Sequence, residues 1–294
     1  MDHPASNLPN LWSTEPPSGL TALGIIAGSR SLPLLCAAEA RRSGIKKIVA
    51  VAFENETDPA LANEVDEIIW TQVGQLSKLI KAFTTHGVRH CIMAGQVAPP
   101  NLFDLRPDLR SVGVLLRLKE RNAHTVFTAI GEELLKDGVE LITALPWLKP
   151  SMPPTGFALG PSVTSGQLAD VQFGFSIAKE ISRLEIGQSV VVKSGTVLAV
   201  EGFEGTDRCL QRGGELAGKK GGAIAVKVSK PNHDLRFDLP CVGERTLQVC
   251  AQAGIHLLAF ESDRTILLDR PAVDQICRES KISLISVPRS ADSP

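Results

Sequence analysis

The run K-V-S-K-P-N-H-D-L-R-F-D-L-P-C-V-G, from Lys227 to Gly243, gathers Lys227, Lys230, His233, Asp234, Arg236 and Asp238. Pro231 and Pro240 bracket its charged part. Proline donates to neither a helix nor a sheet ladder, so the run reads as a rigid loop after the apolar stretch Ala223–Val228. Lysine and arginine hold anions, and a carboxylate holds a divalent metal or activates a water. Phosphate chemistry needs both. A solvated charged loop would have the same composition.

A second cluster, Glu201-Gly202-Phe203-Glu204-Gly205-Thr206-Asp207, sets three carboxylates and a hydroxyl at a strand–helix junction. Thr206 or Glu204 could simply cap the helix. Glu201 closes an apolar strand and is harder to explain as a cap. The functional alternative has this cluster facing the Arg236/Asp238 loop across a sheet edge. Glu201, Glu204, Asp207 and Asp238 would then be metal ligands, or would orient a water. Hard oxygen ligands suit magnesium or manganese better than zinc.

Two glycine turns complete the candidates. Gly28-Ser29 follows an apolar run and opens a helix, which offers free amides to an anion or is a tight turn that needs glycine. Gly95-Gln96 ends another strand. In an open parallel sheet, strand carboxyl ends border the ligand crevice, so Gly28 and Gly95 are expected side by side. The G-x-G-x-x-G fingerprint is absent, which argues against NAD. Asn101–Arg110 alternates acids and arginines, either a clamp for a polar head group or a surface loop. No serine-nucleophile signature and no zinc spacing occurs.

These residues need elements to hold them. Apolar runs at Leu23–Ala27, Ile48–Phe53, Asp66–Trp70, Cys91–Ala94 and Val139–Ile142 alternate with helical patterns at Leu34–Arg42, Gln75–His86 and Asn122–Asp137. That is the order of a parallel, doubly wound α/β sheet. Residues 145–166 hold five prolines and three glycines and read as a linker. Beyond it, a helix at Gln167–Arg183 leads to strands Val190–Lys193 and Val197–Glu201 around a Ser194-Gly195 turn. Further elements are Glu204–Leu216, Ala223–Val228, Thr246–Ala253, Leu257–Glu261, Ile266–Leu268, Pro271–Glu279 and Leu284–Val287. The expected organisation is a loosely ordered tail over 1–20, an N-terminal α/β domain over 21–150, a linker over 151–166, and a catalytic α/β domain over 167–294.

Composition excludes some classes. The 31 Lys+Arg against 32 Asp+Glu leave no basic excess for bulk nucleic-acid binding. The six cysteines form no C-x-x-C pair and suit a reduced, cytosolic protein. Neither a signal peptide nor a membrane-spanning run is visible.

From Leu23 to Val287 the chain resembles the LpxI type of UDP-2,3-diacylglucosamine pyrophosphatase. The matching segments are I-I-A-G-S-R-S-L-P near the start, M-A-G-Q-V at Met93–Val97 and L-R-P-D-L-R at Leu105–Arg110. They continue with G-Q-S-V-V-V at Gly187–Val192, L-A-V-E-G-F-E-G-T-D at Leu198–Asp207 and K-P-N-H-D-L-R-F-D-L-P at Lys230–Pro240. The resemblance implies a Rossmann-like N-terminal domain, a distinct C-terminal domain and a ligand site between them. It implies hydrolysis of UDP-2,3-diacylglucosamine to UMP and 2,3-diacylglucosamine 1-phosphate (lipid X) in lipid A biosynthesis, supported by Mg2+ (or Mn2+). It also implies a homodimer in the cytoplasm, peripheral at the inner face of the inner membrane. The family's key aspartate falls on Asp238, as metal ligand or general base. Arg236 and Lys230 are expected beside it, with Gly28, Ser29, Gly95, Gln96, Thr206, Lys227 and His233 binding substrate. Where many members read G-D-D, this chain reads Asn122-Ala123-His124. That departure keeps a second class open, a silent binder that senses a UDP-sugar or an acylated glucosamine phosphate.

Overall fold

The computed structural model describes residues 15–97, 107–119, 123–229, 234–237 and 239–288. They divide into two units, Met1–Leu148 with Asp234–Asp238, and Lys149–His233 with Leu239–Pro294.

In the first unit, β1 (Ala22–Ala27), β2 (Lys47–Phe53), β3 (Glu67–Thr71), β4 (His90–Ala94) and β5 (Glu140–Leu141) form a sheet in the order β3-β2-β1-β4-β5. Every pairing is parallel. This is the doubly wound arrangement, and order reverses between β1 and β4. The chain alternates these strands with α1 (Leu32–Arg42), α2 (Leu76–Thr85), α3 (Leu109–Arg117), α4 (Ala123–Lys136) and α5 (Leu145–Leu148). Ile26, Val49, Val51 and Cys91 point to one face, where Leu79, Ile80 and Phe83 of α2, Val114 of α3 and Leu134 of α4 cover them.

Helix α3 was hidden in the sequence by the acid–arginine alternation around it. Asp108 starts it, accepting from Ser111 N at 2.8 Å and from Ser77 N at 2.6 Å. Arg110 then reaches α4, where Glu133 accepts from Arg110 Nε at 2.9 Å, Arg117 Nη2 at 3.0 Å and Lys136 Nζ at 2.6 Å. Lys136 foremost, with Arg110 and Arg117, pulls the Glu133 carboxyl from its ordinary 4.5 down to about 2. A lowered carboxyl contributes stability above its unfolded value and loses it as pH falls through the folded one. Glu133→Gln is therefore expected to be less stable at pH 7 by about 1–2 kcal/mol, allowing for water around the exposed partners. The gap should close between pH 4.5 and 2. Urea unfolding across that range checks it, and a constant gap would refute it.

The first unit also contains a short turn from far along the chain. Leu235 is fully buried, and its carbonyl accepts from Thr143 Oγ1 at 3.0 Å. The Phe237 ring lies 5.4 Å from that of Phe127 on α4. Residues 234–238 thus leave the C-terminal half assigned from sequence, because the apolar Leu235 and Phe237 pack on first-unit elements.

In the second unit, β6 (Ala158–Leu159), β7 (Ser189–Lys193), β8 (Thr196–Val200), β9 (Ala223–Lys227), β11 (Ile255–Glu261) and β13 (Ser283–Val287) form a sheet in the order β6-β13-β11-β9-β7-β8. Strands β10 (Cys241–Val242) and β12 (Ile266–Leu267) pair separately and in parallel. Side chains alternate across a strand. Val190, Val192, Ile224 and Val226 pack on α6 (Ser165–Arg183). Val191, Ala223 and Ala225 face the opposite core with α7 (Thr206–Leu216), α8 (Glu244–Gln252) and α9 (Arg270–Glu279). Helix α7 comes very close to β7, since a Cβ on Gly213 would stand 2.5 Å from Val191.

Local signals account for these elements. Thr164 and Gln167 form a capping box at the start of α6. Ser194 and Gly195 both have positive φ, as a two-residue hairpin turn of this hand requires. Asp170 accepts from both of their amides. The Pro/Gly-rich stretch read as a linker contributes edge strand β6, antiparallel to β13. Proline and glycine are tolerated at such an edge.

Candidate active site

The two glycine turns meet at the point where strand order reverses. Gly28 N donates to Ala94 O at 2.7 Å, and Ser29 N to Gln96 O at 2.8 Å. Ser29 Oγ donates to the same Gln96 carbonyl at 2.8 Å. Only glycine fits either position, since a Cβ on Gly28 would lie 2.5 Å from Gln96 O, and one on Gly95 2.5 Å from Ser29 O. Gly95 also has φ +85°. Gly95→Ala is expected to lower first-unit stability by about 1–3 kcal/mol. Thermal unfolding tests this, and an unchanged midpoint would mean that the turns need not abut.

The second unit sets its chemistry along one sheet edge. β9, β11 and β13 are mutually parallel, β7 opposes β9, and β8 opposes β7. The carboxyl ends of β8, β9, β11 and β13 therefore share an edge, which carries Glu201, Lys227 and Glu261. In open α/β sheets this is the ligand side. Lys227, buried, donates to Cys241 O at 2.9 Å. Glu201, also buried, accepts from Thr206 Oγ1 at 3.1 Å at the start of α7. A carboxylate is favoured at a helix N-terminus. Ser189 Oγ lies 3.4 Å from the same Thr206 hydroxyl.

The outer carboxylates of that cluster have other partners. Glu204 pairs with Arg212 at 2.5 Å, which holds its carboxyl below the usual range. Asp207 pairs with Arg245 at 2.7 Å. Among the described residues, no group of three or more His, Cys, Asp or Glu side chains could hold a metal ion. Glu201, Glu204 and Asp207 do not form such a group by themselves, and Asp238, the fourth carboxylate expected at a metal, lies outside the described residues.

Arg236 belongs to the first unit, and Glu201, Glu204, Thr206, Asp207 and Lys227 to the second. Arg236 Nε and Nη2 grip Asp234 at 2.8 and 2.5 Å. Lys230, His233 and Asp238 lie outside the described residues, as do residues 101–106 and Asn122. Sequence reasoning missed Glu261 and Lys179, which are joined at 3.0 Å. The signal was available, because Glu261 closes an apolar strand as Glu201 does.

These features define a two-domain α/β protein with glycine turns at one sheet's switch point and clustered charge at the other sheet's carboxyl edge. Residues 22–150 match the family described as LpxI N-terminal domain, and residues 154–285 the one described as LpxI C-terminal domain. The UDP-2,3-diacylglucosamine pyrophosphatase LpxI of Caulobacter vibrioides is 31% identical over 261 residues, covering 85% of this chain and 92% of that protein. The chain belongs to the LpxI family.

Among solved structures, the biotin carboxylase domain of Hydrogenobacter thermophilus 2-oxoglutarate carboxylase is 14% identical, with a TM-score of 0.25, over 67% of this chain and 41% of that one. N5-carboxyaminoimidazole ribonucleotide synthetase from Thermotoga maritima is 14% identical, with a TM-score of 0.23, over 63% of this chain and 42% of that one. Likeness at this level carries no weight for fold or function.

Proposed function

We propose that this chain hydrolyses the pyrophosphate of UDP-2,3-diacylglucosamine to UMP and 2,3-diacylglucosamine 1-phosphate (lipid X) in lipid A biosynthesis. The observation that carries it is the 31% identity, across both domains, to the Caulobacter protein of that name. The chain is an enzyme of that family.

In the reaction a water oxygen bonds to one phosphorus while that phosphorus loses the bridging oxygen. The water's proton goes to a base, and the leaving phosphate carries away the bridging electron pair. Charge grows on the oxygens, so fixed cations and dipoles do most of the work. Lys227, Lys230 and Arg236 are assigned to neutralise it, and Asp238 to orient the water or take its proton. The glycine-turn amides near Gly28 and Gly95 are assigned to a phosphate, with Ser29, Gln96, Thr206 and His233 as further substrate contacts. Support comes from the burial of Lys227 at a strand carboxyl end and from the abutting glycine turns.

A requirement for magnesium or manganese is part of the proposal. It rests on Asp238 and the buried Glu201, whose carboxylate oxygens suit such an ion. A homodimer is likewise proposed, as is a cytoplasmic location with peripheral contact at the inner face of the inner membrane. Among the described residues no helix is long and apolar enough to cross a membrane.

The test is incubation with UDP-2,3-diacylglucosamine and magnesium, with and without EDTA. Release of UMP and lipid X is expected, with loss in EDTA and recovery on adding magnesium. Full release in EDTA would remove the metal. Tight substrate binding without release would remove the hydrolysis and support a sensor.

A further inference from the structure

We propose that the outward face of α3 docks this protein on an anionic lipid surface, with Leu109, Val112 and Leu116 at the acyl boundary and Arg117 and Lys119 among the headgroups. The choice of a bilayer as the occupant rests on the proposed substrate, a diacylated sugar nucleotide.

Helix α3 is turned inside out. Leu109, Val112 and Leu116 recur at the spacing that puts side chains on one helix face, and an apolar face ordinarily turns to the core. Here Ser111 and Val114 are the buried residues, while Leu109 is 92% exposed and Leu116 72%. The ties of the helix fix this rotation. Ser111 Oγ donates to Gly74 O at 2.5 Å, and Val114 enters the core that α2 covers. Arg110 and Arg117 both reach Glu133 of α4. Rolling the helix to hide its leucines would break all of these contacts. Single exposed leucines are ordinary, but an apolar stripe held outward is a surface for a partner.

Size and charge select that partner. The helix has 9 residues, so its outer face is about 14 Å long and about 10 Å wide, or roughly 140 Å². A stable protein interface takes about 800 Å² from each partner. A second copy would also bring the same cations to the same rim, which opposes pairing. Residues 107–119 carry Arg110, Arg117 and Lys119 against the single acid Asp108, which caps the helix. The whole chain, by contrast, is balanced at 31 Lys+Arg and 32 Asp+Glu. A helix with leucines on one face and cations at its flank is the form that lies in a membrane interface, buried by about 5–10 Å. Anionic headgroups attract each such cation.

The test is flotation of the full-length protein with vesicles of mixed phosphatidylcholine and phosphatidylglycerol, beside vesicles of phosphatidylcholine alone. The wild type is expected to float with the mixed vesicles. The double variant Leu109→Ser/Leu116→Ser should lower the partition coefficient by about 10-fold or more. Lys119→Gln should lower it by about fivefold at low salt, and it carries the test should the leucine variant not fold. Absence of wild-type flotation, equal flotation of the wild type and a folded leucine variant, or equal flotation on phosphatidylcholine alone would overturn the inference. A smaller oligomer for the leucine variant in sedimentation velocity would give the face to a second copy and overturn it as well. UMP release is read separately, on substrate dispersed in detergent, where the variants should match the wild type within about twofold. Flotation as expected without UMP release from any of the proteins would remove the proposed hydrolysis and leave the docking face standing.

Discussion

Asp238→Ala is expected to leave a folded protein that releases UMP more slowly by on the order of 10²–10⁴-fold. Of the two carboxylates in the charged run, Asp234 is gripped by Arg236, and Asp238 is the one proposed to act on the water. Of the second-unit carboxylates, Glu204 and Asp207 are held by Arg212 and Arg245. A group that positions water or takes its proton acts in the transition state, so kcat should fall and KM should change little. The melting temperature should stay near the wild-type value. A rate within about twofold of wild type would take Asp238 out of the chemistry.

Glu261→Ala is expected to destabilise the second unit by roughly 3–5 kcal/mol, the usual result of removing one partner of a buried ion pair. Glu261 is 2% exposed. Its two oxygens take Lys179 Nζ at 3.1 and 3.0 Å, and one also accepts Ser229 N at 2.9 Å. Alanine would leave a lysine charge and a backbone amide without that acceptor inside the sheet edge. Glu261→Gln keeps the shape and an acceptor and should fall between. Chemical denaturation of the three proteins decides it. Equal midpoints would mean that water replaces the carboxylate at no cost.

Most of the elements were legible because they are decided locally. The continuous apolar run Val190–Val192, the positive-φ pair Ser194-Gly195 and the Thr164–Gln167 box each act over a few residues. The abutting glycine turns were legible too, since strand order alone brings the ends of β1 and β4 together. Helix α3 was not, because its tie to α4 through Glu133 is tertiary. The partners of Glu204 and Asp207 were equally hidden, since Arg245 lies 38 residues beyond Asp207. The departure of residues 234–238 from the second unit could not be read from a charge pattern. It depends on where Leu235 and Phe237 find apolar cover.

That departure has a consequence for how the chain is made. During synthesis the N-terminal half emerges first, and domains generally fold as they emerge. Here the first unit lacks Leu235 and Phe237 until residues 234–238 have left the ribosome. Until then Phe127 and the Thr143 hydroxyl wait without their partners, and the helix–sheet core beside them stays open at one point. The first unit is complete only after most of the second has been made. A fragment ending near residue 150 would carry a permanently unfilled seat, whereas the same fragment given a peptide spanning 234–238 would have its missing piece restored.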